Sequence, residues 1–114
     1  MSRIYHICRA EEWRAAQARG GYDGSSQDQA DGFIHFSAAD QAVESAARHR
    51  AGQRGLVLLA VEAERLGAAL KWEPSRGGAL FPHLYGPLPL DAVVAVDDLP
   101  LGPDGRHVFP PLGD

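Results

Sequence analysis

The chain has 114 residues, 45% of them apolar and 23% charged, with a net charge of −4 at pH 7. That length fits a single domain, residues 1–114, whose core needs no cross-link, and the composition excludes a disordered tract. The negative balance speaks against a general DNA or RNA binder, which needs clustered positive charge; a lone cysteine, Cys8, excludes an internal disulfide.

Alternation over Arg3–Cys8 predicts a strand with Ile4, His6 and Cys8 on one face and Tyr5 and Ile7 on the other. Cys8 reads as a small buried hydrophobe. Ala10–Ala18 carries Trp13, Ala16 and Gln17 at helical spacing, and Gly20-Gly21 ends that helix. From Tyr22 to Gly32 the chain is polar and turn-rich, which predicts a loop of a length that often carries function. Phe33–Phe36 predicts a short strand. Ser37 then stands as the N-cap, with Asp40 three residues on, of a helix from Ala38 to about Arg50. Its expected buried stripe is Ala39, Val43, Ala46 and Ala47. The basic group Arg48, His49, Arg50 and Arg54 reads as a solvated helix end favoured by the dipole or as a phosphate-facing patch.

Leu56–Val61 is apolar on both faces and predicts a central strand. Strands over Leu70–Glu73, Phe81–Tyr85 and Ala92–Val96 complete a β-α-loop-β-α-β-β-β-β order, an α+β fold with two helices. Residues 100–114, rich in Pro and Gly, read as a tail packed on the domain. No signal peptide or membrane-length apolar run is visible, so a cytoplasmic monomer without a membrane partner is expected.

Three histidines sit in short apolar strand contexts: His6, His35 and His83. A strand-borne imidazole is costly to half-bury unless something uses it, so one shared cleft is expected. Ser37 opens a helix whose free N–H groups would suit an anion. In Lys71-Trp72-Glu73-Pro74-Ser75-Arg76-Gly77-Gly78, Trp72 offers a stacking face and Glu73 an acid, and Arg76 grips phosphate or carboxylate beside Ser75. His83 and Tyr85, two residues apart on an extended segment, share a face. His49 and His107 are assigned to the surface. Three imidazoles plus water also make a zinc arrangement, but no short His-His spacing supports it.

Tyr5-His6-Ile7, Trp13, Ala30-Asp31-Gly32-Phe33-Ile34-His35-Phe36-Ser37, Gln41, Leu70-Lys71-Trp72-Glu73, Ser75-Arg76-Gly77-Gly78 and Phe81-Pro82-His83-Leu84-Tyr85-Gly86-Pro87-Leu88 resemble the bacterial family of unknown function DUF952. More distantly, His6, His35 and Ser37 fall in the order seen in RNA 2′-phosphotransferases of the ADP-ribosyltransferase-like fold. That resemblance implies a split, mostly antiparallel β-sheet around a nicotinamide-dinucleotide cleft. It implies His6 at a ribose hydroxyl, His35 with Ser37 on the phosphate or ribose side, and Trp72 or Tyr85 stacking. Glu73 would be the acid, with Arg76 and His83 at polar substrate groups. Those relatives follow the first histidine with Gly-Thr, whereas Ile7-Cys8 stands here, so RNA is not the expected substrate. Three functions follow: binding of NAD or an ADP-ribose-like nucleotide with ADP-ribosyl-transfer-type chemistry, a non-catalytic ligand- or protein-binding module, and a metal site of His6, His35 and His83. NAD is expected as substrate rather than resident cofactor, and no metal ligand is assigned.

Overall fold

A run with no polar face is stable only when covered on both sides. The computed structural model, which describes residues 2–113 apart from the side chain of Arg76, covers Leu56–Val61 in this way. Strand β3 (Leu56–Glu62) lies between β1 (Arg3–Arg9) and β6 (Val93–Asp98) in an antiparallel sheet. One face sends Ile4, Cys8, Val57, Leu59 and Val61 into the larger apolar cluster. The other sends Tyr5, Leu56, Leu58 and Ala60 into a smaller cluster, on which Phe109 and Leu112 of the C-terminal segment pack. The Tyr5 hydroxyl donates to the Gly113 carbonyl at 2.6 Å and accepts from its N–H at 2.9 Å.

A second antiparallel sheet has the order β2 (Ile34–His35), β5 (Leu80–Leu84), β4 (Leu70–Pro74). The residues after β2 stitch the two sheets together. The Phe36 N–H donates to the Pro82 carbonyl at 3.0 Å, and Ser37 exchanges two backbone bonds with Tyr5, each 2.8 Å. This crossing covers the free edge of β1. It also brings strand β1, which carries His6, to the strands that carry His35 and His83. The fold is α+β with two small antiparallel sheets.

Helix α1 (Ala10–Arg19) follows β1 without a loop and buries Trp13 and Ala16. Gly20, at φ 89°, closes it in the left-handed region that glycine alone enters freely.

Three differences separate the structure from the expected elements. First, the polar segment Tyr22–Gly32 is not all loop: it holds α2 (Ser26–Asp31), so the described residues contain three α-helices, not two. The Ser25 hydroxyl accepts from the Asp28 N–H at 3.3 Å, and Asp28 Oδ2 accepts from the Ser25 N–H at 2.8 Å. This Ser-x-x-Asp capping box starts the helix. Its one buried residue is Asp28, so no apolar stripe marks it.

Second, Ser37 is not a helix cap, because its N–H and carbonyl are engaged with Tyr5. The chain turns through 38–41 and α3 runs only Ala42–His49. Gln41 takes over the stitching: its Oε1 accepts from the Ala38 N–H at 2.9 Å and its Nε2 donates to the Leu80 carbonyl at 2.8 Å. Ala38 therefore offers no free N–H to an anion. Third, α3 buries Ala42 and Ala46, whereas Val43 is 56% exposed and Ala47 is exposed. Alanine lets the helix sit close to Tyr5, Leu58 and Ala60, and closeness outweighed the larger apolar side chain. No helix among the described residues is long and apolar enough to cross a membrane.

Candidate functional site

His6 from β1, His35 from β2 and His83 from β5 line one cavity of about 560 Å³. Asp28 and Asp31 of α2, Ser37 and Ser75 share its wall.

His35 is the charged centre. Its Nδ1 donates to Asp28 Oδ1 at 2.6 Å, and its Nε2 lies 3.0 Å from Asp31 Oδ2, within ion-pair distance. Ionised carboxylates only accept, so an acid oxygen beside each nitrogen favours the doubly protonated imidazolium. The bond to Asp28 raises the His35 pKa most, partial burial opposes it, and the charges of Asp28 and Asp31 add to the rise. Burial resists the charge on Asp28. The bond from His35, the neighbouring His6 and the N–H groups of Ser25 and His35 outweigh that resistance and hold Asp28 at about 2. Asp28 is nearly inaccessible, and Asp31 and the His35 ring are each a little over a third exposed. The clamp thus has a buried inner jaw and a partly solvated outer one.

His6 lies beneath it, 3% exposed. Its Nδ1 faces the His35 carbonyl oxygen and therefore donates, so Nε2 accepts from the Tyr22 hydroxyl at 2.7 Å. Burial lowers the His6 pKa against the pull of Asp28, and the ring is neutral. Its 3.6 Å approach to Asp28 Oδ2 is then a contact of charge with dipole, not an ion pair. Both nitrogens are engaged inside the protein, so His6 braces the site and presents no free nitrogen to a ribose. Burial also pushes the nearby Cys8 thiol up to about 12, which leaves it inert.

His83 is held from the other side. Its Nδ1 donates to Glu73 Oε1 at 2.8 Å, and the Tyr85 hydroxyl donates to the same oxygen at 2.7 Å. The bonds from Tyr85 and His83 lower the Glu73 pKa, and the bond to Glu73 raises that of Tyr85. Phe33 stacks on His83 with centroids 4.1 Å apart and touches His35 at 4.5 Å and Tyr85 at 5.3 Å. His83 and Ser75 reach the cavity wall, whereas Glu73 and Tyr85 stand behind His83 and outside the lining.

Trp72 is not brought into the site. It pairs with Pro82, while Lys71 pairs with His83 and His83 with His35. Strand alternation therefore puts Trp72 on the face opposite Lys71 and Glu73, where it is 45% exposed. The side chain of Arg76 lies outside the described residues. Ser37 lines the cavity with its hydroxyl donating to Ser45 at 3.1 Å. His107, assigned to the surface, is only partly exposed and its Nε2 donates to the Gln53 carbonyl at 2.8 Å.

The three imidazoles are not a ligand set. Both nitrogens of His6, and Nδ1 of His35 and of His83, are hydrogen-bonded to protein groups, and no group of three His, Cys, Asp or Glu side chains among the described residues is placed to hold a metal ion. Four residues that matter were not singled out from sequence: Tyr22, Asp28, Asp31 and Phe33. The Ser25-x-x-Asp28 pattern was the available signal for Asp28, and the i, i+3 spacing of Asp28 and Asp31 places both on one helix face.

Gly24 packs against the inner jaw. Its φ is +94°, and a Cβ there would lie 2.7 Å from Asp28 Cβ and 3.2 Å from Ile34 Cγ1. Gly24→Ala is expected to cost about 2 kcal/mol, roughly half from the left-handed backbone and half from crowding. Urea unfolding measures it; a cost near zero would mean that α2 moves aside freely.

The two histidines give opposite pH trends. The raised pKa of His35 means that its stabilisation is complete below its unfolded value of about 6.5 and is lost as pH rises toward the folded value. The lowered pKa of His6 means that its burial costs stability as pH falls below about 6.5. Subtracting the unfolding free energy of His35→Gln from that of the wild type removes most of the His6 contribution, which rests first on burial. The difference is expected to be flat between about pH 4.5 and 6.5, to shrink above that range as His35 loses its proton, and to shrink below it as Asp28, which His35 helps to hold at about 2, takes one up. A difference that stays flat through alkaline pH would show that His35 is not an imidazolium.

A sequence model of the family described as "Protein of unknown function (DUF952)" matches residues 7–96. The crystal structure of protein CC0527 from Caulobacter crescentus is 56% identical over 94% of each chain, with a TM-score of 0.91. The solution NMR structure of CC0527 from Caulobacter crescentus is 57% identical over 93% of this chain and 91% of that one, with a TM-score of 0.83. No curated protein matches the chain.

Proposed function

We propose, for a chain that belongs to the DUF952 family of proteins of unknown function, that the cleft binds a small ligand of the NAD or ADP-ribose class at the Asp28–His35–Asp31 clamp. The clamp is the observation that carries this. A buried carboxylate fixes Nδ1 of an imidazolium, and the half-exposed ring stands on the wall of a cavity of about 560 Å³, a size that suits a drug-sized or nucleotide-sized ligand. Orientation of a histidine by a buried aspartate is how proteins fix its proton for donation or transfer.

On the exposed side, His35 Nε2–H is a donor and Asp31 an acceptor, 3.0 Å apart. Adjacent donor and acceptor match a vicinal diol, such as that of a ribose. Asp31 is shared with Gln27 Nε2 at 3.2 Å and is partly solvated, so a ligand displaces it at little cost. The nucleotide class is suggested by sequence alone, through the order of His6, His35 and Ser37 that resembles RNA 2′-phosphotransferases. Cleavage of a ribose–nicotinamide bond needs a carboxylate beside an oxocarbenium-like centre; Asp31, on the wall, fits that role better than Glu73 behind it.

A binding module without turnover is the second reading. It is favoured by the engagement of Glu73 with His83 and Tyr85 and of His6 with Tyr22. Calorimetry with NAD and ADP-ribose, and chromatography for released nicotinamide, test both. Binding that disappears in a folded His35→Ala variant supports the clamp. No heat from either compound at millimolar concentration overturns the nucleotide class. Binding without nicotinamide release selects the module.

A further inference from the structure

The basic group at the end of α3 is not used by the clamp, and its members part company in the structure. Arg48 stays in solvent on Glu44 of its own helix, at 3.2 Å. Arg50 turns inward. It is partly buried and lines the same cavity as His35. Its guanidinium donates to the Ile7 carbonyl at 3.3 Å and to Gln53 Oε1 at 3.2 Å. Both acceptors are neutral. Among the described residues no carboxylate pairs with Arg50, in contrast to Arg9, Arg48 and Arg65. Three of its five N–H groups are left for another acceptor.

A partly desolvated guanidinium with no carboxylate at ion-pair distance is a costly group to keep against a cavity unless an anion joins it. The acid on this stretch of wall, Glu12, gives Oε1 to the backbone N–H of Arg9. Arg9 also reaches the lining, with its side chain mostly in solvent and 3.8 Å from Glu11. The Ser37 hydroxyl stands on the same wall. Planar guanidinium forks match phosphate oxygens two at a time.

We propose that Arg50 is an anion subsite for a phosphate or pyrophosphate group. The cleft's ligand is then bipolar, with hydroxyls at Asp31 and His35 and its phosphate at Arg50. The hydroxyl half rests on the function proposed above; the anion half stands on Arg50 alone.

The test is a titration of ¹⁵N-labelled protein with inorganic pyrophosphate, against sodium chloride of equal ionic strength. Saturable shifts are expected at the backbone amides of Ile7, Arg9 and Arg50 and at Arg50 Nε–H. Arg50→Gln is expected to weaken pyrophosphate roughly ten- to a hundredfold. Arg50→Lys keeps a charge and a donor for the Ile7 carbonyl but loses the fork, and is expected to be several-fold weaker. Unmoved β3 amides report an intact fold; if Arg50→Gln loses them, Arg50→Lys decides. No saturable shift in the wild type, or wild-type affinity in the folded variants, overturns the subsite. A second arm uses ADP-ribose and adenosine. Pyrophosphate binding at Arg50 without ADP-ribose binding keeps the subsite and removes the nucleotide. Equal ADP-ribose affinity in wild type and Arg50→Gln keeps the nucleotide and removes the subsite.

Discussion

Asp28→Asn is expected to lower the unfolding free energy by about 3 kcal/mol, the low end for removing one partner of a buried ion pair. The value is at the low end because the His35 ring is 38% exposed and regains water. Four donors converge on the Asp28 carboxylate: the Ser25 N–H at 2.8 Å, the Ser25 hydroxyl at 3.1 Å, the His35 N–H at 3.1 Å and His35 Nδ1 at 2.6 Å. Asparagine has one accepting oxygen, so either orientation of its amide sets an NH₂ against a backbone N–H. The substitution also opens the capping box that starts α2. For a domain of this length the midpoint of thermal unfolding should fall by roughly 10–20 °C. Fluorescence of the buried Trp13 follows the transition. The same variant should return the His35 pKa toward its ordinary value, read from its ring resonances in an NMR titration. A loss under about 1 kcal/mol with an unmoved His35 pKa would mean that the clamp is incidental.

His6→Ala is the second large effect, at about 3–4 kcal/mol. The ring packs edge-on to Tyr22 with centroids 5.2 Å apart and against Phe36 at 5.4 Å. Its removal leaves a void and strands the Tyr22 hydroxyl and the His35 carbonyl. His6→Gln keeps a donor and an acceptor and should recover part of the loss. Asp28 and His6 share one network, so the double variant should cost less than the sum of the two. Denaturant unfolding of the three variants measures this. A near-neutral His6→Ala that nonetheless abolished ligand binding would return His6 to the role of a ligand group.

Several elements were legible locally. The two-sided apolar run of β3, the alternation in β1 and the helical spacing of Trp13 and Ala16 each answer to the periodicity of one element. Helix α2 was hidden because it buries a carboxylate where helices bury an apolar stripe. The start of α3 was misplaced because the backbone of Ser37 is taken by Tyr5, 32 positions earlier in the chain. The opposite placement of Trp72 and Glu73 was open to reading, since neighbours on a strand face opposite ways. His83 and Tyr85, two apart, do meet one partner, Glu73.

What the residues decided by themselves is the α+β class, most of the strands, and the presence of three histidines where imidazoles are costly to hold. What packing decided is the state of each ring. His6 is neutral because it is enclosed and meets a carbonyl 29 residues away. His35 is drawn toward its charged form because α2 sets two carboxylates on it. Protonation depends on desolvation and on charge across space, and neither exists until the chain has folded.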